Sequence, residues 1–199
     1  MPYSTDCLAC QPRFQELLAA QPALARLWAA LPRRQLAPGA TLLAIGETAH
    51  HVWLVEQGLA RLYYLSADGR ECNKSFHAEG AWVGCGVPPQ PVASAFAIAA
   101  MEPLQVVELS YAALTECQRE SPLVQTVLND GLSAVFARLA EREAELLLLD
   151  APARYRAFLA EHAAIAARLP LHHVASYLGI TNVALSRIRS RLGMVARRA

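Results

Sequence analysis

The chain has 199 residues, of which 54% are hydrophobic and 18% are charged, and its formal net charge is +1. This composition predicts a folded chain of one compact domain or two small ones. No apolar run is long enough to span a bilayer, and residues 1–10 lack the basic start and apolar stretch of a signal peptide. We therefore expect a cytoplasmic protein with reduced cysteines and no membrane partner.

The small net charge hides an uneven distribution along the chain. Residues 1–150 carry 10 basic and 16 acidic side chains, whereas residues 151–199 carry 8 basic side chains and one acidic side chain, Glu161. A cationic segment after an acidic body predicts a polyanionic partner for that segment alone.

The amino-terminal segment opens with Cys7 and Cys10, a CxxC spacing that can hold a metal or form a redox disulfide. The other three cysteines are isolated, so the pair alone does not define a site. Two short helices are predicted next, over residues 14–20 and 23–31, because prolines separate and end these segments.

Between residues 33 and 109 the apolar runs become short and rich in β-formers. Strands are predicted over residues 41–45, 52–55, 60–65, 71–76, 92–98 and 104–109. Asp68-Gly69 between two of these runs is a strong hairpin signal. Several short strands at this spacing indicate a β-sandwich or barrel of the jelly-roll kind.

A long helix follows the strands. After a short helix over residues 111–119, Ser121 and Pro122 provide an N-cap and a first-turn proline for a helix that runs to about residue 149. Its apolar side chains recur mostly three, four and seven residues apart: Val124, Val127, Leu128, Leu132, Val135, Leu139, Leu146 and Leu149. This stripe is typical of a coiled coil and favours pairing with a second copy over packing along the barrel.

After a further helix over residues 153–168, residues 171–190 have the spacing of a helix-turn-helix. Ala175 lies where two helices cross, Gly179 provides the turn, and Thr181 is a good N-cap for the second helix. The free face of that helix is polar and cationic and carries Asn182, Ser186, Arg187, Arg189 and Ser190. An ordinary αα-corner also uses Gly and Ala, but the arginines favour a helix that lies in the major groove.

This order of elements resembles the Crp/Fnr family of bacterial transcription regulators. The most specific segments are PGATLLAIGE (38–47), VWLVEQGLARLYYLSADGRE (52–71) and the YLGIT and SRIRSRL motifs within 177–192. The resemblance implies an α+β fold with an N-terminal cyclic-nucleotide-binding-like jelly roll, a long dimerisation helix and a C-terminal helix-turn-helix without a full wing. It divides the chain into an effector-sensing domain (1–120) that includes the N-terminal helices, the dimerisation helix (121–150) and the DNA-binding domain (151–199).

The same resemblance implies a sequence-specific DNA-binding regulator, not an enzyme, that acts as a homodimer on a pseudo-palindromic site and contacts RNA polymerase. The recognition helix spans residues 181–192. Its expected DNA-binding residues are Thr181, Asn182, Val183, Ser186, Arg187, Arg189 and Arg191. Arg187 is the best base reader, since a guanidinium bonds guanine at two points, whereas Thr181, Arg189 and Arg191 are assigned to phosphates. Val183 stands where well-studied members have Glu, so the usual family half-site is not expected.

The sensor region departs from the cyclic-nucleotide-binding members of the family. Those members have a Gly-Glu pair for the ribose and an Arg-Ser/Thr pair for the phosphate, but here Cys85 follows Gly84. No Arg or Lys occurs between Lys74 and Arg119, and a buried phosphate without a cation is strongly disfavoured. The resemblance therefore predicts that cAMP does not bind in the usual way, and the effector stays unknown. The candidate effector-binding residues are Trp82, Gly84, Cys85 and Ser94.

Two cofactors stay open from the resemblance. The oxygen-sensing branch holds an iron–sulfur cluster on N-terminal cysteines, and Cys7 and Cys10 match the start of that motif as candidate metal ligands. The third N-terminal cysteine is missing, so an inert remnant is the alternative. Haem bound through a histidine such as His77 is the other option.

Two other classes of protein are alternatives to a transcription regulator. A cupin-like metal-dependent enzyme needs a His/Glu cluster across neighbouring strands, but His50 and His51 are adjacent and therefore point to opposite faces of a strand. A ligand-binding module that docks on another protein through its C-terminal helices would show no salt-dependent affinity for DNA. The cationic C-terminal segment argues against it.

Overall fold

The computed structural model describes residues 10–194, with side chains from residue 14 onward. Its helices are α1 (Cys10–Ala20), α2 (Pro22–Ala30), α3 (Tyr111–Glu120), α4 (Pro122–Leu148), α5 (Ala151–Glu161), α6 (Leu171–Leu178) and α7 (Asn182–Arg191). Its strands are β1 (Arg33–Leu36), β2 (Thr41–Leu43), β3 (Thr48–Ala49), β4 (His51–Gln57), β5 (Ala60–Leu65), β6 (Glu71–His77), β7 (Trp82–Val83), β8 (Val92–Ala93), β9 (Ala97–Ala100) and β10 (Leu104–Ser110). None of the helices in this part of the chain is long and apolar enough to cross a membrane.

The strands form two four-stranded sheets and one two-stranded sheet, with antiparallel pairing throughout. The sheet orders are β1-β10-β4-β7, β2-β9-β5-β6 and β3-β8. Leu43, Val55, Ile98 and Val106 belong to the buried apolar cluster of these strands, as expected of two packed sheets. The predicted α+β class with a jelly roll is therefore confirmed.

Two tight turns place the central strands. Gly69 has φ +80° in the turn that joins β5 to β6, which confirms the predicted hairpin at Asp68-Gly69. Gly58 joins β4 to β5 with φ +95°, and a Cβ there would lie 2.3 Å from the backbone oxygen of Pro103. A side chain at residue 58 would therefore push apart the turn and the start of β10.

The N-terminal helices cover one end of the sandwich. Phe14, Leu24, Leu114 and Val124 form a second buried cluster that joins α1, α2 and α3 to the start of α4. Both predicted N-terminal helices are confirmed, although α1 begins earlier than the prediction.

The long helix α4 has 27 residues and is therefore about 40 Å long. Val124 is its only fully buried residue, and eight large apolar side chains at or just beyond this helix are exposed: Leu123, Val135, Phe136, Leu139, Leu146, Leu147, Leu148 and Leu149. Ser121 is at the N-cap as predicted, but its hydroxyl does not cap the helix and has no hydrogen-bond partner among the described residues.

The third buried cluster joins the C-terminal helices to β6. It includes Tyr155, Phe158 and Phe76. The helix predicted over residues 153–168 is wrong in its second half, because α5 ends at Glu161 and only a 3₁₀ turn follows at Ala166–Arg168. The imidazole of His162, just after α5, packs 4.7 Å from the Phe158 ring, measured between centroids.

The expectation about the wing concerns residues after 194 and lies outside the described residues.

Candidate nucleic-acid interface and sensor cavity

The turn between α6 and α7 is set by Gly179 and Thr181. Gly179 adopts the left-handed conformation (φ +68°, ψ 33°), which glycine tolerates without strain. The Thr181 hydroxyl accepts a hydrogen bond of 3.1 Å from the Ala184 amide and so caps α7. The helix-turn-helix predicted from the sequence is therefore confirmed as a local structure.

One face of α7 is fixed against the helices that precede it. Leu185 and Ile188 are buried and belong to the same apolar cluster as Val174 and Leu178 of α6. This packing directs the opposite face of α7 to solvent.

The exposed face of α7 carries most of the predicted DNA-binding residues. Those residues are Thr181, Asn182, Val183, Ser186, Arg187 and Arg191. Val183 is 61% exposed. The face combines hydrogen-bonding groups, two arginines and one apolar contact point.

Arg189 differs from the other predicted residues. It is half-buried, and its guanidinium donates a hydrogen bond of 2.8 Å to the hydroxyl of Tyr155. In this conformation it joins α7 to α5, so its assignment to a phosphate stays a prediction.

The described C-terminal region is strongly cationic. Residues 151–194 contain six arginines and a single carboxylate, Glu161. That carboxylate accepts hydrogen bonds of 2.9 and 2.5 Å from Arg138 of α4. No acidic side chain of this region therefore offsets the positive potential around α7.

The helix-turn-helix is seated on the edge strand β6. The Ser176 hydroxyl donates to the backbone oxygen of Glu71 (2.9 Å) and accepts from the backbone amide of Asn73 (3.0 Å). The Asn73 amide group donates to the backbone oxygen of His173 (3.0 Å) and lies 3.1 Å from its Nδ1. Burial, with a smaller effect of Arg61, lowers the pKa of His173 to about 4, so its imidazole is neutral at neutral pH and can accept this bond.

A second set of contacts joins the helix-turn-helix to α4 through Tyr177. Arg138 donates to the Tyr177 hydroxyl (2.8 Å), and the Arg142 guanidinium lies 4.0 Å from the Tyr177 ring centroid and donates to its backbone oxygen. Burial, with the charge of Glu161, raises the pKa of Tyr177 to about 12. Arg142 falls within the apolar stripe of α4, where it contacts the helix-turn-helix.

A third contact is made by Arg168 in the 3₁₀ turn. Its guanidinium bonds both carboxylate oxygens of Glu79 at 2.9 Å and also bonds Glu102. The bonds from Arg168 lower the pKa of Glu79 to about 2. The orientation of the helix-turn-helix is thus set by β6, by α4 and by this ion cluster.

An open cavity of about 1050 Å³ lies between the jelly roll, α4 and the helix-turn-helix. Strands β5, β6 and β7, the loop after β7 and one face of α4 form its walls, and most of its lining side chains are apolar. Of the predicted effector-binding residues, Trp82, Gly84 and Cys85 line this cavity. Ser94 does not; it is buried, and its hydroxyl donates to the backbone oxygen of Phe96 (2.6 Å).

The predicted metal ligands are only partly visible. Cys7 lies outside the described residues, and Cys10 begins α1 without a described side chain. Cys72, Cys85 and Cys117 are free thiols. Among residues 10–194, no group of three His, Cys, Asp or Glu side chains is placed to hold a metal ion.

His77, the candidate haem ligand, lies in the cavity wall. Its Nε2 is 2.9 Å from the Ser75 hydroxyl. Burial, with the nearby charges of Lys74 and His162, lowers the pKa of His77 to about 3. Haem binding through this neutral imidazole stays a hypothesis.

Several residues that organise the site were missed by the sequence reasoning. Lys74 lines the cavity, and its status as the only lysine of the chain was the one available signal. Asn73 and Ser176 form the seat of α6, but they are 103 residues apart in the sequence. No local sequence pattern predicts a contact between two residues so far apart.

Comparisons with known proteins agree with this architecture. Residues 33–121 match the sequence family described as the cyclic nucleotide-binding domain. No curated protein sequence matches the chain significantly.

Among solved structures, FixK2 from Bradyrhizobium japonicum is similar over 82% of this chain and 85% of its own, with 21% identity and a TM-score of 0.72. The c-di-GMP responsive global regulator CLP of Xanthomonas campestris is 17% identical over 85% of this chain and 90% of its own, with a TM-score of 0.72. A CooA mutant from Carboxydothermus hydrogenoformans is 18% identical over 87% and 82%, with a TM-score of 0.69.

These likenesses define the class of protein by its fold. Residues 33–121 match the cyclic nucleotide-binding domain family, and a long helix and a helix-turn-helix follow them. The resemblance to Crp/Fnr-type regulators inferred from the sequence is therefore confirmed at the level of the fold.

Proposed function

We propose that this protein is a homodimeric, sequence-specific DNA-binding transcription regulator. The observation that carries the proposal is the exposed cationic face of α7, held on a packed helix-turn-helix core that is seated on a cyclic nucleotide-binding domain. A helix of this kind fits the major groove, where its amino-terminal residues contact base edges.

The residues on this face suggest a division of roles. Arg187 reads guanine through two hydrogen bonds. Asn182 either pairs with adenine or caps the helix. Val183 offers only an apolar contact, which suits a thymine methyl group. Thr181 and Arg191 are at opposite ends of the face and contact phosphates, where they position the helix without specifying sequence.

A second copy of the chain is proposed to cover the apolar face of α4. Val135, Leu139 and Leu146 of the predicted stripe are each about half exposed, and water contact along such a stripe is unfavourable. In the proposed dimer the two α7 helices are expected about 34 Å apart, one turn of DNA. The functional units are then the sensor (1–120), the dimerisation helix (121–150) and the DNA-binding domain (151–199).

The sensor is proposed to respond to an effector other than cAMP bound in the usual way. Gly84 is followed by Cys85, and residues 75–118 contain no Arg or Lys to hold a cyclic phosphate. A titration that showed tight cAMP binding would contradict the proposal about the effector.

The pattern of the Crp/Fnr-type fold also suggests contact with RNA polymerase, which in vitro transcription from a bound promoter would test.

The experiment that tests DNA binding is selection of binding sites from random duplexes, followed by fluorescence anisotropy on the selected site. Arg187→Ala should weaken specific binding by about 1–3 kcal/mol and relax the preference at one base pair. Arg119→Ala, which removes an exposed cation outside the interface, is the matched control and should bind normally. If no duplex is enriched, or if affinity does not depend on salt, a protein-docking module is the better description.

The dimer is tested separately by light scattering after size-exclusion chromatography. Leu139→Glu places a charge in the apolar stripe and should give a monomer. Leu123→Glu alters an equally exposed leucine outside the stripe and should leave the dimer intact. A monomeric native protein would contradict the proposal.

A further inference from the structure

The cavity between the jelly roll and α4 is large enough for a small organic molecule. In the single chain its volume is about 1050 Å³, just above the range of small-ligand pockets, roughly 300–1,000 Å³. Val135, Leu139 and Leu146 also line it, so the second copy proposed above would close the α4 side and leave the space beside the jelly roll for a ligand. Trp82, Leu128 and Leu132 are among the apolar side chains that line it. A ligand there would be held mainly by burial of apolar surface.

The charges around the cavity are not balanced. Arg138 and Arg142 line it but are paired with carboxylates, at 2.5 Å from Glu161 and 2.9 Å from Glu145 respectively. The ammonium of Lys74, by contrast, has no carboxylate and no hydrogen-bond partner in the described part of the chain. It lies over the Phe96 ring, 5.1 Å from the ring centroid.

Burial lowers the pKa of Lys74, and the nearby Cys85 thiol has only a smaller, opposite effect. An ammonium removed from water without an anionic partner is costly. A bound anion would supply the missing partner, whereas a neutral or cationic ligand would leave that cost in place.

We infer that the cavity binds a small apolar molecule that bears one acidic group, with the acidic group at Lys74 and the apolar body against Trp82 and α4. The ligand class is thus a hydrophobic monoanion, such as an aromatic carboxylate or sulfonate. This inference rests on the proposed function in one respect, since it identifies the cavity as the sensor site. The apolar walls contain few groups to match a ribose and a purine, and Lys74 is the single unpaired cation among the described lining residues.

The test uses two dyes with the same aromatic skeleton, 8-anilinonaphthalene-1-sulfonate and the uncharged N-phenyl-1-naphthylamine. Each is titrated by fluorescence into the native protein and into Lys74→Met, Lys74→Arg and Arg70→Gln. Arg70 is an exposed cation in the β5–β6 hairpin, is paired with Asp68 and does not line the cavity, so it is the matched control.

Lys74→Met should weaken binding of the sulfonate about tenfold or more, because one charge-assisted contact is lost. The same substitution should leave the affinity for the uncharged dye unchanged. Lys74→Arg should restore binding of the sulfonate, and Arg70→Gln should have no effect. This pattern requires that the acidic group lies at Lys74 and that the cavity is intact.

Two results would overturn the inference. Equal sulfonate affinity in the native protein and in Lys74→Met would show that the lysine does not select an anion. Parallel loss of both dyes in Lys74→Met and Lys74→Arg would show that the lysine only supports the packing of the cavity. DNA binding, measured on the same preparations, separates this inference from the proposed function, because failure of one assay leaves the result of the other intact.

Discussion

The ion pair between Arg138 and Glu161 offers the sharpest test of how the C-terminal helices are held on α4. The two side chains are only 18% and 12% exposed, and they form two hydrogen bonds of 2.9 and 2.5 Å. Glu161→Gln keeps the shape of the side chain but removes its charge and one acceptor oxygen. Arg138 then keeps Glu145 at 3.1 Å as a partner.

The expected change in the free energy of unfolding follows from this geometry. Removing one partner of a fully buried pair costs about 3–5 kcal/mol, whereas an exposed pair contributes about 0–1 kcal/mol. Because Arg138 retains Glu145, we expect Glu161→Gln to lower the free energy of unfolding by about 2 kcal/mol. For a chain of this size, that corresponds to a fall in Tm of about 4–8 °C.

The assay is thermal unfolding followed by circular dichroism at pH 7. Glu116→Gln is a matched control, because Glu116 and Arg119 are also close (2.6 Å) but are 57% and 70% exposed. The control should lower Tm by less than about 2 °C. Equal effects of the two substitutions would refute the reasoning that burial sets the strength of the pair.

Three further predictions concern the contacts that seat the helix-turn-helix. Ser176→Ala should speed amide hydrogen exchange in α6 and α7 about fivefold to thirtyfold, the equivalent of 1–2 kcal/mol, because two hydrogen bonds to β6 are lost. Ser133→Ala, on the exposed face of α4, should leave this exchange unchanged. Unchanged exchange in Ser176→Ala would show that these bonds do not hold α6 on β6. The folded-state pKa of His173 is depressed to about 4, so native stability is full above the unfolded pKa near 6.5 and falls as pH drops from about 6.5 towards 4; His173→Gln should flatten this slope in Tm. The pKa of Glu79 is held at about 2 by Arg168, so its contribution is present above about 4.5 and is lost as pH falls towards 2; the difference in Tm between the native protein and Glu79→Gln should shrink over that range.

The features that the sequence predicts correctly are those with a local chemical cause. The hairpin at Asp68-Gly69 and the turn at Gly179 both need a left-handed residue, and only a few residue types satisfy that need. The capped start of α7 follows in the same way from the Thr181 hydroxyl. These local requirements therefore allow the sequence to predict which face of α7 is exposed.

The features that the sequence does not reveal depend on distant partners. Strand β1 is exposed except at Leu36 and takes its register from pairing with β10, about 70 residues away, so its own pattern gives no strand signal. The run over residues 92–98 was predicted as one strand, but the hydroxyl of Ser94 bonds within the turn that separates β8 from β9. Ser94 was predicted to bind the effector from its place in the sequence, but this turn keeps it out of the cavity wall.

Strand β6 connects the cavity to the helix-turn-helix through two adjacent residues. Lys74 and Asn73 both line the cavity. The Asn73 side chain also bonds to His173 of α6, and its oxygen accepts a hydrogen bond of 3.1 Å from Arg61. A displacement of β6 on binding of an anion at Lys74 would therefore change the seat of α6. By linkage, the anion and operator DNA must then alter each other's affinity by the same factor.

We expect this coupling to be about 1–3 kcal/mol, a 5- to 150-fold change in affinity. The measurement is the affinity for the selected duplex with and without saturating 8-anilinonaphthalene-1-sulfonate. Asn73→Ala should bring that factor close to one while each ligand still binds alone, because the link between the strand and α6 is lost. Asn129→Ala, an exposed asparagine on α4, should retain the coupling. Full coupling in Asn73→Ala would show that the signal travels through Tyr177 and α4 instead, since Arg138 and Arg142 join those elements independently of β6.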